Sequence, residues 1–345
     1  MRYSRRAVCV AAVCSVSLGG FVVPAAPDTP FTPAPSVARA QPIHLPQVDP
    51  QRAQRLGLLA GLLAAVGVLG VVATQLNLDG SSTAAVRPTP PSSSCTSSSC
   101  SRTVLVGGRT RSYDVVLPSG WQPDVSYPIV IGLGGWQHTA GQTRRYQQLE
   151  REVGGNAIVV YAQGKANAWG GAPYAVTSLD EDIAYLRAVI ADVRARDHAD
   201  ASRVAAIGLS NGGGMATALA CHAPDMVDAV ASVAGAYYSP TVTGCTPGSV
   251  ATLLIHATND DVVAYGGGTR HRARYESVPT VFDTFSRKNA CADFFLETPG
   301  PGTVTFDRGS CAAPTTLMRL SGGGHTWFTS PDATRESVQF VLGQL

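Results

Sequence analysis

From about residue 102 to the C-terminus the sequence predicts an α/β fold, a mostly parallel central sheet with helices on both faces. Three observations predict it. Short β-rich runs alternate with helical patterns. One long segment, 179–196, carries apolar residues at helical spacing. One strand-like run, 204–208, passes through a glycine turn straight into a helix-compatible run, 214–221. Alternation of this kind needs crossover connections, and crossovers make parallel strands.

In chain order, the expected strands are 103–106, 112–117, 129–132, 158–161, 204–208, 229–233, 252–256 and 317–320. The helix over 179–196 follows from Leu179, Ile183, Leu186, Val189, Ile190 and Val193 on one face. A closing helix is expected over 332–345 by the same criterion.

The first hundred residues read as targeting and tether. An export signal and spacer are expected over 1–40: Arg2, Arg5 and Arg6 precede an apolar run, 7–23, which ends in Val23-Pro24-Ala25. A second hydrophobic segment is assigned to 41–80. Its core, 56–73, holds no charge and follows Arg52 and Arg55, which makes it a candidate membrane anchor with the remaining chain outside the cytoplasm. If both runs crossed, the C-terminal part would return to the cytoplasm, so only one of them sets the topology. A Ser/Thr/Pro-rich linker, 81–101, leads to the folded α/β domain, 102–345.

The balance of 26 basic and 24 acidic side chains leaves a formal charge of +2, which offers no footprint for nucleic acid. Of eight cysteines, six belong to the folded part and form neighbouring couples, Cys95 with Cys100, Cys221 with Cys245, and Cys291 with Cys311. None has zinc-site spacing. Disulfides in an oxidising compartment are therefore expected, with buried free thiols as the alternative.

The segment Gly208-Leu209-Ser210-Asn211-Gly212 sits between strand and helix, as a nucleophile elbow requires. Side chains at 208 and 212 would collide in so sharp a turn, which glycine avoids. Asp260 follows the strand at 252–256, where a carboxylate that orients a base belongs, with Asp261 as its rival. His325, in Gly322-Gly323-Gly324-His325-Thr326-Trp327, is the best placed of seven histidines. His44, His138, His198, His222, His256 and His271 are read as structural or exposed. The order serine, acid, histidine implies acyl-enzyme chemistry at an ester carbonyl on an α/β-hydrolase fold. Backbone N–H groups of Asn211 and Trp136 are the expected oxyanion donors, with Gly135 close behind Trp136. Trp169 and Trp327 are candidate pocket walls.

Together with Arg111-Ser112-Tyr113, Cys221-His222-Ala223-Pro224-Asp225, Val262-Val263-Ala264-Tyr265-Gly266-Gly267, Ser277-Val278-Pro279 and Gly323-Gly324-His325-Thr326-Trp327, the elbow resembles a known family. It is the polyhydroxybutyrate depolymerase, feruloyl esterase and acetylxylan esterase group of secreted α/β-hydrolases. The resemblance covers roughly 102–345 and implies the triad Ser210, Asp260 and His325. It also implies disulfides Cys221–Cys245 and Cys291–Cys311, and an ester substrate such as feruloyl or acetyl esters or hydroxyalkanoate oligomers. Two positions depart from the pattern. Gly134 stands where such esterases carry histidine, and Asp261 where they often carry proline.

No phosphate loop, dinucleotide fingerprint or H-E-x-x-H is present, so neither cofactor nor metal is expected. Acyl transfer to an acceptor alcohol, as in related cell-envelope acyltransferases, is the alternative within enzymes. A non-catalytic surface protein on the same fold is the alternative outside them.

Overall fold

The structure, a computed structural model, describes residues 98–345. The expected export signal, the apolar segment 56–73, most of the linker and Cys95 lie outside the described residues. Among the described residues, no helix is long and apolar enough to cross a membrane.

Ten strands form one sheet. They are β1 (Ser99–Val106), β2 (Arg109–Val116), β3 (Ile129–Leu133), β4 (Ile158–Ala162), β5 (Val204–Leu209), β6 (Ala229–Val233), β7 (Ala251–Ala257), β10 (Phe295–Gly300), β11 (Thr303–Arg308) and β12 (Thr315–Leu320). Their spatial order is β1-β2-β4-β3-β5-β6-β7-β12-β11-β10. The six strands from β4 through β12 run parallel. Antiparallel pairs close both edges. A separate hairpin, β8 (Gly268–Arg270) and β9 (Ala273–Tyr275), stands apart from this sheet.

Seven helices are described: α1 (Ala140–Gln147), α2 (Leu149–Val153), α3 (Leu179–Asp197), α4 (Asn211–His222), α5 (Ser239–Val242), α6 (Val278–Lys288) and α7 (Ala333–Leu342). Successive strand residues go to opposite faces, and both faces are covered, which is why the parallel strands read as continuous apolar runs. Ile129, Ile131 and Leu133 of β3 pack on one side with α3, α4 and α6. Val130 of β3, with Ala205, Ile207 and Leu209 of β5, packs on the other with α1, α2 and α7. The start of α3 is fixed by Ser178, whose hydroxyl accepts from the Glu181 N–H while the Glu181 carboxylate accepts from the Ser178 N–H.

All eight expected strands are present, extended by a residue or more at half of their ends, while β2 stops one residue short of the expected 117. The fold also takes in part of the expected linker, because Ser99–Ser101 pair with Asp114–Val116. Four strands, β8 to β11, escaped the sequence reading. Both residues and backbone of β10 lie at the exposed sheet edge, and Pro299 interrupts its pattern.

Two of the expected disulfides are formed, Cys221–Cys245 and Cys291–Cys311, closing sequence separations of 24 and 20. Loops of that size stabilise by about 3 kcal/mol each through the unfolded state. Cys100 is disulfide-bonded as well.

Candidate active site

At the C-terminal end of β5 the chain reverses into α4 through Ser210, which adopts φ 55° and ψ −116°. Its hydroxyl makes no capping bond to the helix it precedes, so Oγ is free to face outward. The flanking glycines are required sterically. A Cβ on Gly208 would lie 2.1 Å from the Gly212 carbonyl oxygen, and one on Gly212 would lie 2.3 Å from that of Leu133. Both obstacles are backbone, which cannot swing aside. Gly208→Ala is therefore expected to cost about 3 kcal/mol or more, read as a lower midpoint in urea unfolding with an unchanged slope.

His325 reaches this serine from the loop after β12, with Nε2 2.9 Å from Ser210 Oγ. Its Nδ1 lies 2.8 Å from Asp260 Oδ2. Asp260, after β7, is buried, whereas Asp261 is exposed. The Asp260 Oδ1 accepts the backbone N–H groups of Val262 and Val263 at 2.9 and 2.8 Å, which fixes the plane of the carboxylate. Burial works to raise the Asp260 pKa. Donors from His256, His325 and Val263 outweigh it and hold the carboxyl well below the usual carboxylate range. At neutral pH it is an anion aimed at one nitrogen of His325. With Asp260 as acceptor, that nitrogen bears the proton, and Nε2 is left to accept from the serine.

His256, read from sequence as structural or exposed, is fully buried on β7 against this carboxylate. Its Nε2 lies 2.9 Å from the Val263 carbonyl oxygen and 3.2 Å from Asp260 Oδ2. Both partners are acceptors, so Nε2 carries the hydrogen and Asp260 receives donors from two imidazoles. The adjacency Ile255-His256 within an apolar strand gave no sign of this, since the contact depends on the chain folding back at Asp260.

The loop after β3, Gly134 to His138, faces the serine across the elbow, and a Cβ on Gly135 would lie 3.5 Å from that of Ser210. The bonding of this loop distinguishes the two donor candidates. Gly135 N–H donates to the Tyr146 hydroxyl at 3.4 Å, Gln137 N–H to Asn167 and His138 N–H to Gly135. Among the described residues, the Trp136 N–H has no acceptor. A side chain at Gly134 would lie 2.2 Å from Thr143 Oγ1, so the histidine of the resembling family has no room here.

Trp169 and Trp327 are corrected from pocket walls to buried supports. Trp169, 1% exposed, donates from Nε1 to the Gly134 carbonyl at 2.9 Å. Its backbone is clasped by the Asn211 side chain, which accepts from the Trp169 N–H and donates to the Trp169 carbonyl. The buried Asp182 carboxylate anchors the same segment through Gly170 N–H, Thr177 and Arg111. Trp327 packs on Tyr146 and donates from Nε1 to Thr334. The aromatic surface that does face solvent is different. It consists of the exposed Trp136 stacked on the half-buried Tyr174 at 4.4 Å, with the exposed His271 edge-on to Tyr174 and the buried Tyr238 beneath it.

His138 is a second imidazole in the site. It contacts the Tyr146 hydroxyl at 3.4 Å, and burial together with the nearby His325 lowers its pKa from the ordinary value near 6.5. Burial pushes the Tyr146 phenol up to about 12, so it stays protonated. A histidine with a lowered pKa in the fold takes up its proton later than in the unfolded chain. Stability is therefore full above about pH 6.5 and falls as pH drops from there through the lowered value. His138→Gln is expected to flatten that part of the stability–pH curve, as measured by thermal melts between pH 5 and about pH 7.5.

No group of three or more histidine, cysteine, aspartate or glutamate side chains among the described residues is arranged to hold a metal. The chemistry available is that of a polarised hydroxyl, an imidazole and a carboxylate.

Comparison with known proteins finds esterases. Residues 106–264 match the family model described as "Putative esterase", a span that includes Ser210 and Asp260. The chain is 29% identical over 258 residues to "Putative esterase NocK" of Nocardia uniformis subsp. tsuyamanensis, covering 66% of this chain and 73% of that protein. It is 28% identical over 243 residues to "Feruloyl esterase C" of Emericella nidulans, covering 66% and 83%. Among solved structures, an acetyl xylan esterase from Aspergillus awamori is similar, with a TM-score of 0.51 at 13% identity over 70% of this chain and 99% of that one. That last likeness bears on the fold alone.

Proposed function

We propose that this chain is a carboxylic ester hydrolase that works through an acyl-enzyme formed on Ser210, a reading supported by the esterase model matched over residues 106–264. The observation that carries the reading is the unbroken chain from Ser210 Oγ through His325 to Asp260, at 2.9 and 2.8 Å. His325 takes the serine proton as Oγ attacks the ester carbonyl, and Asp260 stabilises the imidazolium. The tetrahedral oxyanion is received by the backbone N–H groups of Trp136 and Asn211. Collapse expels the alcohol, protonated by His325. Water, activated by the same imidazole, then releases the acid.

Esters with aromatic or short acyl groups are the proposed substrates, since the exposed Trp136 follows Gly135, whose Cβ position lies 3.5 Å from that of Ser210, and with Tyr174 it offers a flat apolar face. The activity is assigned outside the cytoplasm. Two disulfides and the export-signal pattern at the N-terminus support that location.

The test is a panel of 4-nitrophenyl acetate, 4-nitrophenyl butyrate, methyl ferulate and hydroxybutyrate oligomers, with and without an added acceptor alcohol. Release of free acid that Ser210→Ala abolishes supports the reading. New ester formed in preference to acid would reassign the enzyme as an acyltransferase, and equal inertness of both proteins would remove catalysis altogether.

A further inference from the structure

The β8–β9 hairpin turns through His271 and Arg272, and both have left-handed backbones, with φ 51° and 63°. A two-residue turn of that type is made without strain by Asn-Gly. Here two bulky exposed residues occupy it, and strained non-glycine positions persist where the surrounding structure uses them. The use is visible on one side of the turn. The His271 ring lies edge-on to both Trp136 and Tyr174, at 5.1 Å from each. The turn is thus seated on the aromatic stack, and Trp136 follows Gly135, the residue against Ser210.

The hairpin is also basic. Arg270, Arg272 and Arg274 are all exposed. Arg274 is engaged by Glu276 at 3.5 Å, and Glu276 is further held by Ser239. Arg270 donates to the Val262 carbonyl at 3.2 Å. It lies close enough to Tyr174 and Tyr238 for its charge to act on both phenols against the effect of their burial. Among the described residues, neither Arg270 nor Arg272 has a carboxylate within ion-pair distance. The exposed carboxylate of the neighbouring loop is Asp261, one charge against two.

We propose that Arg270, His271 and Arg272 form an anion-reading rim on the Trp136–Tyr174 stack, which selects aromatic esters that bear a carboxylate. The proposal rests on the esterase reading and names its substrate class. A flat ring lies on the exposed face of Trp136, which is 36% accessible, while its carboxylate points to the planar guanidiniums. At separations of roughly 6 Å in water, each guanidinium favours the anion by about threefold, so the pair gives about tenfold at low salt. Salt screens exposed charges, so the preference shrinks as ionic strength rises.

The experiment uses the full chain with two acetate esters of one scaffold, 4-acetoxybenzoate and its neutral methyl ester, and reads the ratio of their kcat/KM values. This ratio is expected to fall roughly tenfold in Arg270→Gln/Arg272→Gln at low salt, with a smaller difference at about 0.5 M salt. A second variant, His271→Asn/Arg272→Gly, supplies the residues this turn favours. It is expected to melt no lower than the parent while losing part of the same ratio. An unchanged ratio in both variants, with both esters still hydrolysed, overturns the rim and leaves the esterase standing. Failure of the parent protein to hydrolyse either ester overturns both.

Discussion

Ser210→Ala lowers kcat for 4-nitrophenyl acetate by roughly 10⁴- to 10⁶-fold while the protein still folds. The size of the effect follows from what remains. On the proposed mechanism, without Oγ no acyl-enzyme can form and His325 has no serine proton to take. Residual rate comes from direct attack of water on the bound ester, aided by binding and by the N–H groups of Trp136 and Asn211. The fold is spared because Ser210 makes no capping bond to α4, and its backbone bonds, from its N–H to Val233 and to its carbonyl from Ala236, do not involve the side chain. Alanine has the same left-handed strain as serine at φ 55°, so the melting temperature is expected to stay within a few degrees of the parent. Stopped-flow release of 4-nitrophenol and a thermal melt check the two halves of this prediction.

Asp260→Asn is the second large effect, about 10⁴-fold in kcat, because an amide can donate to His325 Nδ1 and stabilise the wrong tautomer of the base. Asp261→Asn, one residue away, stays within about threefold, since its side chain is exposed. The contrast is sharp because the two positions share sequence, loop and charge and differ only in direction. Activity is also expected to survive acidification further than a free carboxylate would allow as far as Asp260 is concerned. Its pKa lies below the usual range, so its contribution is present above the unfolded value near 4 and is lost only as pH falls through the lowered folded value. A pH series on wild type, Asp260→Asn and Asp261→Asn reads both.

Much of this site is local in sequence. The elbow could be read because its strain is met by adjacent residues, Gly208 and Gly212, whose missing side chains are a requirement of the turn itself. The β strands of the sheet centre could be read because burial on both faces demands unbroken apolar runs. Asp260 stood out by its place after β7, although only the fold separates it from Asp261.

Other parts depend on contacts between distant segments. Trp169 and Gly134 are 35 positions apart, and the bond from indole to carbonyl that makes Trp169 a support leaves no mark in either neighbourhood. Tryptophan is suited equally to a pocket and to a core, and the polar partner of Nε1 decides between them. The same holds for His256 and His138, isolated histidines whose neighbours come from the far side of a loop. The β8–β9 hairpin has exposed arginines where a buried strand would show apolar residues, and its turn lacks the Asn-Gly signal. It was hidden by the same residues that give it its proposed use.

The measurement that tests the central claim most directly is intact-protein and peptide mass spectrometry of the enzyme quenched with acid during turnover of 4-nitrophenyl acetate. The account predicts a gain of one acetyl group, located on the peptide that contains Ser210, absent from Ser210→Ala and enriched when water attack is slowed at low pH. Steady ester hydrolysis with the acetyl group on another residue, or with no covalent species trapped at any pH, would contradict it.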